Sequence, residues 1–300
     1  MKSVPACLTC ILGDVYAAAQ RVTSDPHLQL QVAKDSMRFL ADTFSHDRVP
    51  SYFITEVHRI LKRDTGVPTP FAESRSQLNR TAMQLTERIQ AEAESLDGLQ
   101  RFRHVARWAL AGNSLDSRTA GIGYSFEPAH MLQYLQSYID RGIAQDHLDR
   151  LYARILTKPS VLYIHDNVGE IALDTLFITE MRRHGCHVTS ALRGGPITSD
   201  ATMEDGFVIG LDRAVDRLIL TGPDTLGISW DEASPELRAA LRAARLIIAK
   251  GQANYYVLSE HRKELNGEIF CLFTIKCQPV AEAVGVQPKQ AVGIFLAREP

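Results

Sequence analysis

Residues 161–170 read Val161-Leu162-Tyr163-Ile164-His165-Asp166-Asn167-Val168-Gly169-Glu170. A short apolar run stops at an acid, an amide and a glycine, and a helical pattern from Ile171 to His184 follows. A strand covered on both faces is apolar throughout, so this is how a buried parallel strand passes into a crossover helix. The same form recurs downstream at His187 to Leu192, Arg217 to Leu220, Leu246 to Ala249, Ile269 to Ile275 and Ala291 to Ala297. A second helical stretch, Glu236 to Ala244, lies between two of these runs. Strands alternating with helices imply right-handed crossovers and a mostly parallel sheet with both faces covered. Residues 157–300 therefore read as a layered α/β domain.

Upstream the period is different. Leu78, Ala82, Leu85 and Ile89 recur at helical spacing, as do Val57, Ile60 and Leu61, and Leu148, Leu151 and Ile155. Breaks fall at Pro50, at Gly66 to Pro70 and around Gly112 to Pro128. Residues 1–156 are expected to form a helical domain of about five to seven helices with no strand. No Gly/Ser linker separates the halves, so they are expected to pack together.

Composition narrows the function classes. The chain has 300 residues, 33 basic and 35 acidic, for a net charge of −2. That balance argues against a protein built to grip nucleic acid or an anionic membrane. No apolar run is long enough to span a bilayer, and the apolar stretch after Lys2 is too short and polar for a signal peptide. The five cysteines, Cys7, Cys10, Cys186, Cys271 and Cys277, are odd in number and scattered, which suits reduced thiols and a cytoplasmic location.

Ligands of an open parallel sheet bind beyond the carboxyl ends of its strands. The segments following the expected strands are Asp166-Asn167-Val168-Gly169-Glu170, Arg193-Gly194-Gly195-Pro196 with Ser199-Asp200-Ala201-Thr202, Thr221-Gly222-Pro223-Asp224, Lys250-Gly251-Gln252-Ala253-Asn254, and Thr274 with Lys276. Singly, each reads equally as a turn or a helix cap. Together they place acids, amides and two lysines along one edge. Asp166, Asn167 and Asp200 are hard oxygen ligands that suit Mg²⁺ or Mn²⁺ better than Zn²⁺. Lys250 and Lys276 offer positive charge to phosphoryl oxygens, and the glycines offer backbone N–H groups. Phosphate-loop, dinucleotide-loop, zincin and nucleophile-elbow motifs are absent. Cys7-x-x-Cys10 sits in a helical context. It reads as buried thiols, a redox pair or part of a thiol site with Cys277.

These residues, in this order, resemble the damage-control phosphatase family over nearly the whole chain. The resemblance rests on Cys7-x-x-Cys10, on Gly112-Asn113-x-x-Asp116 and on Asp166-Asn167-x-Gly169-Glu170 with Asp174. It continues in Ser199-Asp200-Ala201-Thr202 with Asp205, Lys250-Gly251-Gln252-Ala253-Asn254-Tyr255 and Thr274-x-Lys276-Cys277. The CxxC and Lys-Cys elements look like the mainly prokaryotic subfamily, although Tyr256 stands where that subfamily usually carries an acid. The resemblance implies a Rossmann-like three-layer α/β/α domain preceded by an all-helical domain. It also implies a phosphatase dependent on a divalent metal (Mn²⁺, Mg²⁺, Co²⁺ or Ni²⁺) that acts on small phosphorylated metabolites, with neither nucleic acid nor membrane as a partner. Its metal ligands fall on Asp166, Asn167 and Asp200. Its substrate contacts fall on the Lys250 to Asn254 loop, which includes Gly251, Gln252 and Asn254, and on Lys276, with Asn113 and Asp116 reaching the cleft from the helical half. Asp166, Asn167, Asp200 and Lys250 are thus the expected catalytic residues, with either Asp166 or a water as the attacking group. The competing readings are a phospholigand-binding or redox-sensing module without catalysis, and a methyltransferase.

Overall fold

The structure, a computed structural model, describes residues 1–115 and 130–297. Among the described residues, seven α-helices occupy the region before residue 156: α1 (Ala6–Val22), α2 (Pro26–Thr43), α3 (Pro50–Thr65), α4 (Ala72–Glu94), α5 (Gly98–Gly112), α6 (Met131–Asp140) and α7 (Leu148–Ile155). The same region also holds a strand, β1 (Ile143–Asp146), where none was expected. It is four residues long, alternates half-buried with exposed positions and lies at the sheet edge. So short a segment leaves no readable period.

The strands expected downstream are present as β2 (Ser160–Ile164), β3 (His187–Leu192), β4 (Arg217–Leu220), β5 (Leu246–Lys250), β6 (Glu268–Thr274) and β7 (Ala291–Phe295). Their connections carry α8 (Glu170–Arg183), α9 (Met203–Val208), α10 (Leu211–Ala214), α11 (Pro235–Ala243), α12 (Gln252–Glu260) and α13 (Gln278–Val284). Side-chain caps help set these starts. Ser234 accepts from Leu237 N at the head of α11, and Thr202 and Asp205 cap α9 reciprocally.

The seven strands lie in the order β1-β7-β6-β5-β2-β3-β4. β2 to β6 run parallel, and only the β6–β7 pair is antiparallel. The chain moves outward from β2 through β3 to β4, then returns to place β5 on the other side of β2. The strand order therefore reverses between β2 and β5, the place where open α/β sheets bind ligands.

Strand side chains alternate between two cores, as the period of two requires. Val161, Tyr163, Ile248 and Phe270 face a core shared with α4 to α8. Leu162, Ile164, Ile247, Ala249 and Ile269 face a core shared with α11 to α13. The first of these cores runs across residue 156, since Leu78, Phe102 and Leu151 share it with Phe177. Helices α1 to α3 enclose a third, separate core.

Polar contacts tie α3 to the loops at the carboxyl edge of the sheet. Leu226 N donates to Thr55 Oγ1 at 3.0 Å, and Lys62 Nζ donates to Pro196 O at 2.9 Å and to Asp224 at 2.6 Å. Arg59 reaches both Asp224 and Glu232.

Phe102 joins α5 to α7 and to α8. It is fully buried, with its ring centroid 5.2 Å from both Tyr152 and Phe177. Phe102→Ala is expected to lower unfolding stability by about 3–5 kcal/mol in urea titration, through lost transfer energy and an unfilled cavity. A loss below about 1 kcal/mol would contradict this packing role.

Candidate active site

Two loops pair at the carboxyl edge. Val168 N donates to Ser199 O at 2.8 Å, and Ala201 N donates to Asp166 O at 2.7 Å. The resulting antiparallel bridge between Asn167 and Asp200 sets the first expected ligand pair beside the third ligand. Further contacts lock the same loops to α4, where Arg75 and Asn79 lie one turn apart. Asn79 accepts from Gly169 N at 2.7 Å and donates to Asp205, while Arg75 donates to Thr198 O and to Asp205.

Asp166 is 4% exposed, and its Oδ2 accepts from Asn113 Nδ2 at 2.9 Å and Asn167 Nδ2 at 2.7 Å. The carboxylate lies directly against the end of β5. A Cβ on Gly251 would stand 1.9 Å from Asp166 Oδ2, and Gly251 has φ +79°. Both the conformation and the contact exclude a side chain there. This close approach spans the β2–β5 switch point.

Asp200 is fully buried. Its Oδ2 accepts from Arg193 Nε at 2.9 Å and Gly227 N at 2.7 Å, and its Oδ1 accepts from Thr198 Oγ1 at 3.0 Å. Arg193 Nη2 also lies 2.9 Å from Oδ2, so the contacts crowd Oδ2, while Oδ1 accepts only the Thr198 hydroxyl and has room for a further ligand. Asn167 Oδ1 accepts from Ser199 Oγ at 2.7 Å. The donor set is two carboxylates and an amide oxygen, a hard set that fits a divalent cation of the Mg²⁺ or Mn²⁺ kind.

Lys250 lies elsewhere than expected. Rather than facing an open cleft, its fully buried Nζ contacts Glu170 at 2.6 Å, Asp174 at 2.5 Å and Ala109 O at 2.8 Å. An ammonium has three N–H donors, and all three are used. Lys250 therefore positions carboxylates and has no donor left for a phosphate. Asp174 also accepts from Tyr163 Oη at 2.8 Å and contacts His165 Nδ1 at 2.9 Å. Burial alone would raise Asp174 and lower Lys250. Their mutual charges, reinforced by His165 and Glu170, reverse both directions: Asp174 lies below its ordinary value and Lys250 above.

The other expected residues divide between framework and mouth. Asn113 bridges Asp166 and Glu170 and accepts from Thr274 N at 2.9 Å. Asn254 donates to His165 O and Lys250 O and accepts from Ile228 N. Gln252 accepts from Lys276 N at 2.9 Å and donates to Tyr256 Oη at 2.5 Å and Cys277 Sγ at 3.5 Å. Lys276 is half-buried, and Asp116 lies outside the described residues.

The five described cysteines carry no disulfide. Cys7 is half-buried in the first turn of α1, Cys10 is exposed one turn later, and Cys277 is half-buried just before α13. Among the described residues no group of three or more His, Cys, Asp or Glu is arranged to hold a metal ion, so the three thiols do not form such a site. The Asp166, Asn167 and Asp200 set is of different composition, with only two acids.

Two arrangements escaped sequence reading. In the sequence Arg193 follows a strand with no role attached to it, yet it is the partner of Asp200. Arg75 and Asn79, at i and i+4 on α4, form the clamp on Gly169 and Asp205, and their spacing was the available signal. A cavity of about 600 Å³ lies between α3 and the end of α12, lined by residues that include Arg48, Tyr52, Trp230 and His261 but none of the expected catalytic residues.

The buried charges give a first test. In wild type the Asp174 contribution is present above its unfolded value near about 3.9 and lost as pH falls through the lower folded value. The Lys250 contribution is present below about 10.4 and lost as pH rises through the raised folded value. Lys250→Met leaves two buried carboxylates without their cation and is expected to cost about 3–5 kcal/mol at pH 7. In chemical denaturation the deficit should narrow below about pH 4, as the carboxyls protonate. A deficit independent of pH would contradict the assignment.

Comparison with known proteins identifies the family. The family model of the damage-control phosphatase ARMT1-like domain matches residues 3–292. A damage-control phosphatase from Archaeoglobus fulgidus is 34% identical over 95% of this chain and 96% of its own length. An uncharacterized protein from Methanocaldococcus jannaschii is 30% identical over 95% of this chain and 93% of its own. The crystal structure of a DUF89 family protein from Pyrococcus horikoshii superposes with a TM-score of 0.85 at 26% identity, covering 98% of this chain and 99% of that one. On sequence and fold alike, the chain belongs to the damage-control phosphatase family, with an ARMT1-like domain.

Proposed function

We propose that this protein is a divalent-metal-dependent phosphatase that hydrolyses phosphate monoesters of small metabolites, such as sugar phosphates and related compounds. Family membership supports the phosphatase role. One observation carries the metal dependence. At the switch-point edge, Asp166, Asn167 and Asp200 are all at least nine-tenths buried on two paired loops, and together they offer two carboxylates and an amide oxygen, the hard oxygen set that suits a divalent cation of the Mg²⁺ or Mn²⁺ kind.

The chain's own residues have separable tasks. Asn113 and Asn167 donate to Asp166 Oδ2 and hold its carboxylate in place. Gly251 leaves the space that the carboxylate occupies. Arg193 and Gly227 N fix Asp200. Lys250 pairs with both Glu170 and Asp174, fixing their positions without entering the reaction. When bound, the cation supplies positive charge to the phosphoryl oxygens as negative charge develops on them. Half-buried Lys276, whose backbone N–H donates to Gln252, is assigned to substrate contact.

Phosphate release from an aryl phosphate should appear with Mn²⁺, Mg²⁺, Co²⁺ or Ni²⁺ and vanish with EDTA. Asp166→Ala should fall to the no-enzyme background while keeping its circular dichroism spectrum. Gly251→Ala should act similarly, because its methyl group displaces the same carboxylate. Turnover that survives EDTA, or an Asp166→Ala variant as active as wild type, would overturn the proposal. Phosphoester binding without turnover across the metal series would favour a non-enzymatic ligand-binding role.

A further inference from the structure

Arg193 is fully buried and sits one residue beyond the end of β3. Its Nε donates to Asp200 Oδ2 at 2.9 Å, and its Nη2 donates to His165 O at 3.1 Å and Asn254 Oδ1 at 3.4 Å. Its Nη1 is buried and has no hydrogen-bond partner. A guanidinium is planar, with its five N–H bonds in a rigid fork. Contacts to three residues on three different segments hold that plane, so Nη1 cannot turn away to find an acceptor.

A buried charged donor with no acceptor is costly, and native structures contain few of them. At a ligand-binding edge, a bound ligand is one source of the missing acceptor. The acceptor for a guanidinium N–H is an oxygen, best an anionic one, and the fork suits phosphate. The other buried cation here, Lys250, has all three donors used, so a buried N–H to offer an anion comes from Arg193.

We propose that Arg193 contacts the phosphoryl group directly, with its Nη1 donating to a non-bridging oxygen of a phosphate bound beside Asp200. This rests on the phosphatase reading and adds a residue to it. Arg193 then has two tasks: Nε fixes the Asp200 carboxylate, and Nη1 recognises the ligand. The competing explanation is that Arg193 only holds Asp200.

Binding measurements separate the two. Orthophosphate and Mn²⁺ serve as probes, each titrated calorimetrically into the full chain, with orthophosphate measured both with and without Mn²⁺. Arg193→Gln should weaken orthophosphate binding by about tenfold or more. Its Mn²⁺ binding, measured without phosphate, should hold or tighten, because a competitor for Asp200 is removed. Arg193→Lys keeps a charge but loses the fork, and should also weaken orthophosphate. It supplies the same comparison if Arg193→Gln does not fold by circular dichroism. Asp200→Asn leaves the guanidinium in place and should retain metal-free orthophosphate binding. Orthophosphate affinity within about twofold of wild type in both Arg193 variants would overturn the inference, as would equal losses of Mn²⁺ and orthophosphate binding. So would a wild type that binds no orthophosphate. A wild type that binds orthophosphate through Arg193 but hydrolyses no phosphoester would sink the phosphatase reading and leave this inference standing.

Discussion

The ammonium of Lys250, enclosed by Glu170, Asp174 and the carbonyl of Ala109, is the interaction on which the site's geometry depends. It joins three elements that sequence separates widely: the end of β5, the first turns of α8 and the last turn of α5. Because α5 is fixed there, Asn113 just beyond it stands where its amide can hold both Asp166 and Glu170 while accepting from Thr274 N at the end of β6. A buried ion pair is weak evidence of net stability, since desolvation offsets much of its attraction. Its value here is placement. It leaves a buried carboxylate cluster where the strand order reverses, on a backbone that Gly251 allows to come within contact of Asp166.

Much of this was readable from the residues. The run from Val161 to His165 and the turn after it gave both the strand and its polar end, because burial on two faces demands an unbroken apolar run. The parallel direction of β2 to β6 then placed Asp166, Asp200, Lys250 and Thr274 along one edge without knowledge of any contact. What escaped has physical reasons. β1 is four residues long and half exposed, so neither period nor hydrophobicity marks it. The role of Lys250 depends on which acceptors surround it, and those come from α5 and α8, distant in sequence. A lysine at a strand end reads as a phosphate ligand until Glu170 and Asp174 are seen to fill its three donors. The change of period near residue 156 marks where most strands begin, while the core formed by Leu78, Phe102 and Phe177 passes across it.

The two halves of the charge arrangement differ in kind. Lys250 and its carboxylates form a closed network, saturated and remote from exchange with a ligand. Asp166, Asn167 and Asp200 lie on two mutually paired loops, and the cation beside them, Arg193, keeps one donor without a partner. A framework that is fully satisfied next to a site that is not is the pattern expected where local consistency yields to function. It also explains why the chain's overall charge of −2 said little about its chemistry. The relevant charges are buried and local.

Anomalous diffraction at the manganese edge from crystals soaked in Mn²⁺ tests the central claim most directly. The account predicts one dominant peak within coordination distance of the Asp166 carboxylate, the Asn167 amide oxygen and the Asp200 carboxylate. A dominant peak at the thiols of Cys7 and Cys277, or no ordered peak at the switch-point edge under saturating Mn²⁺, would contradict it.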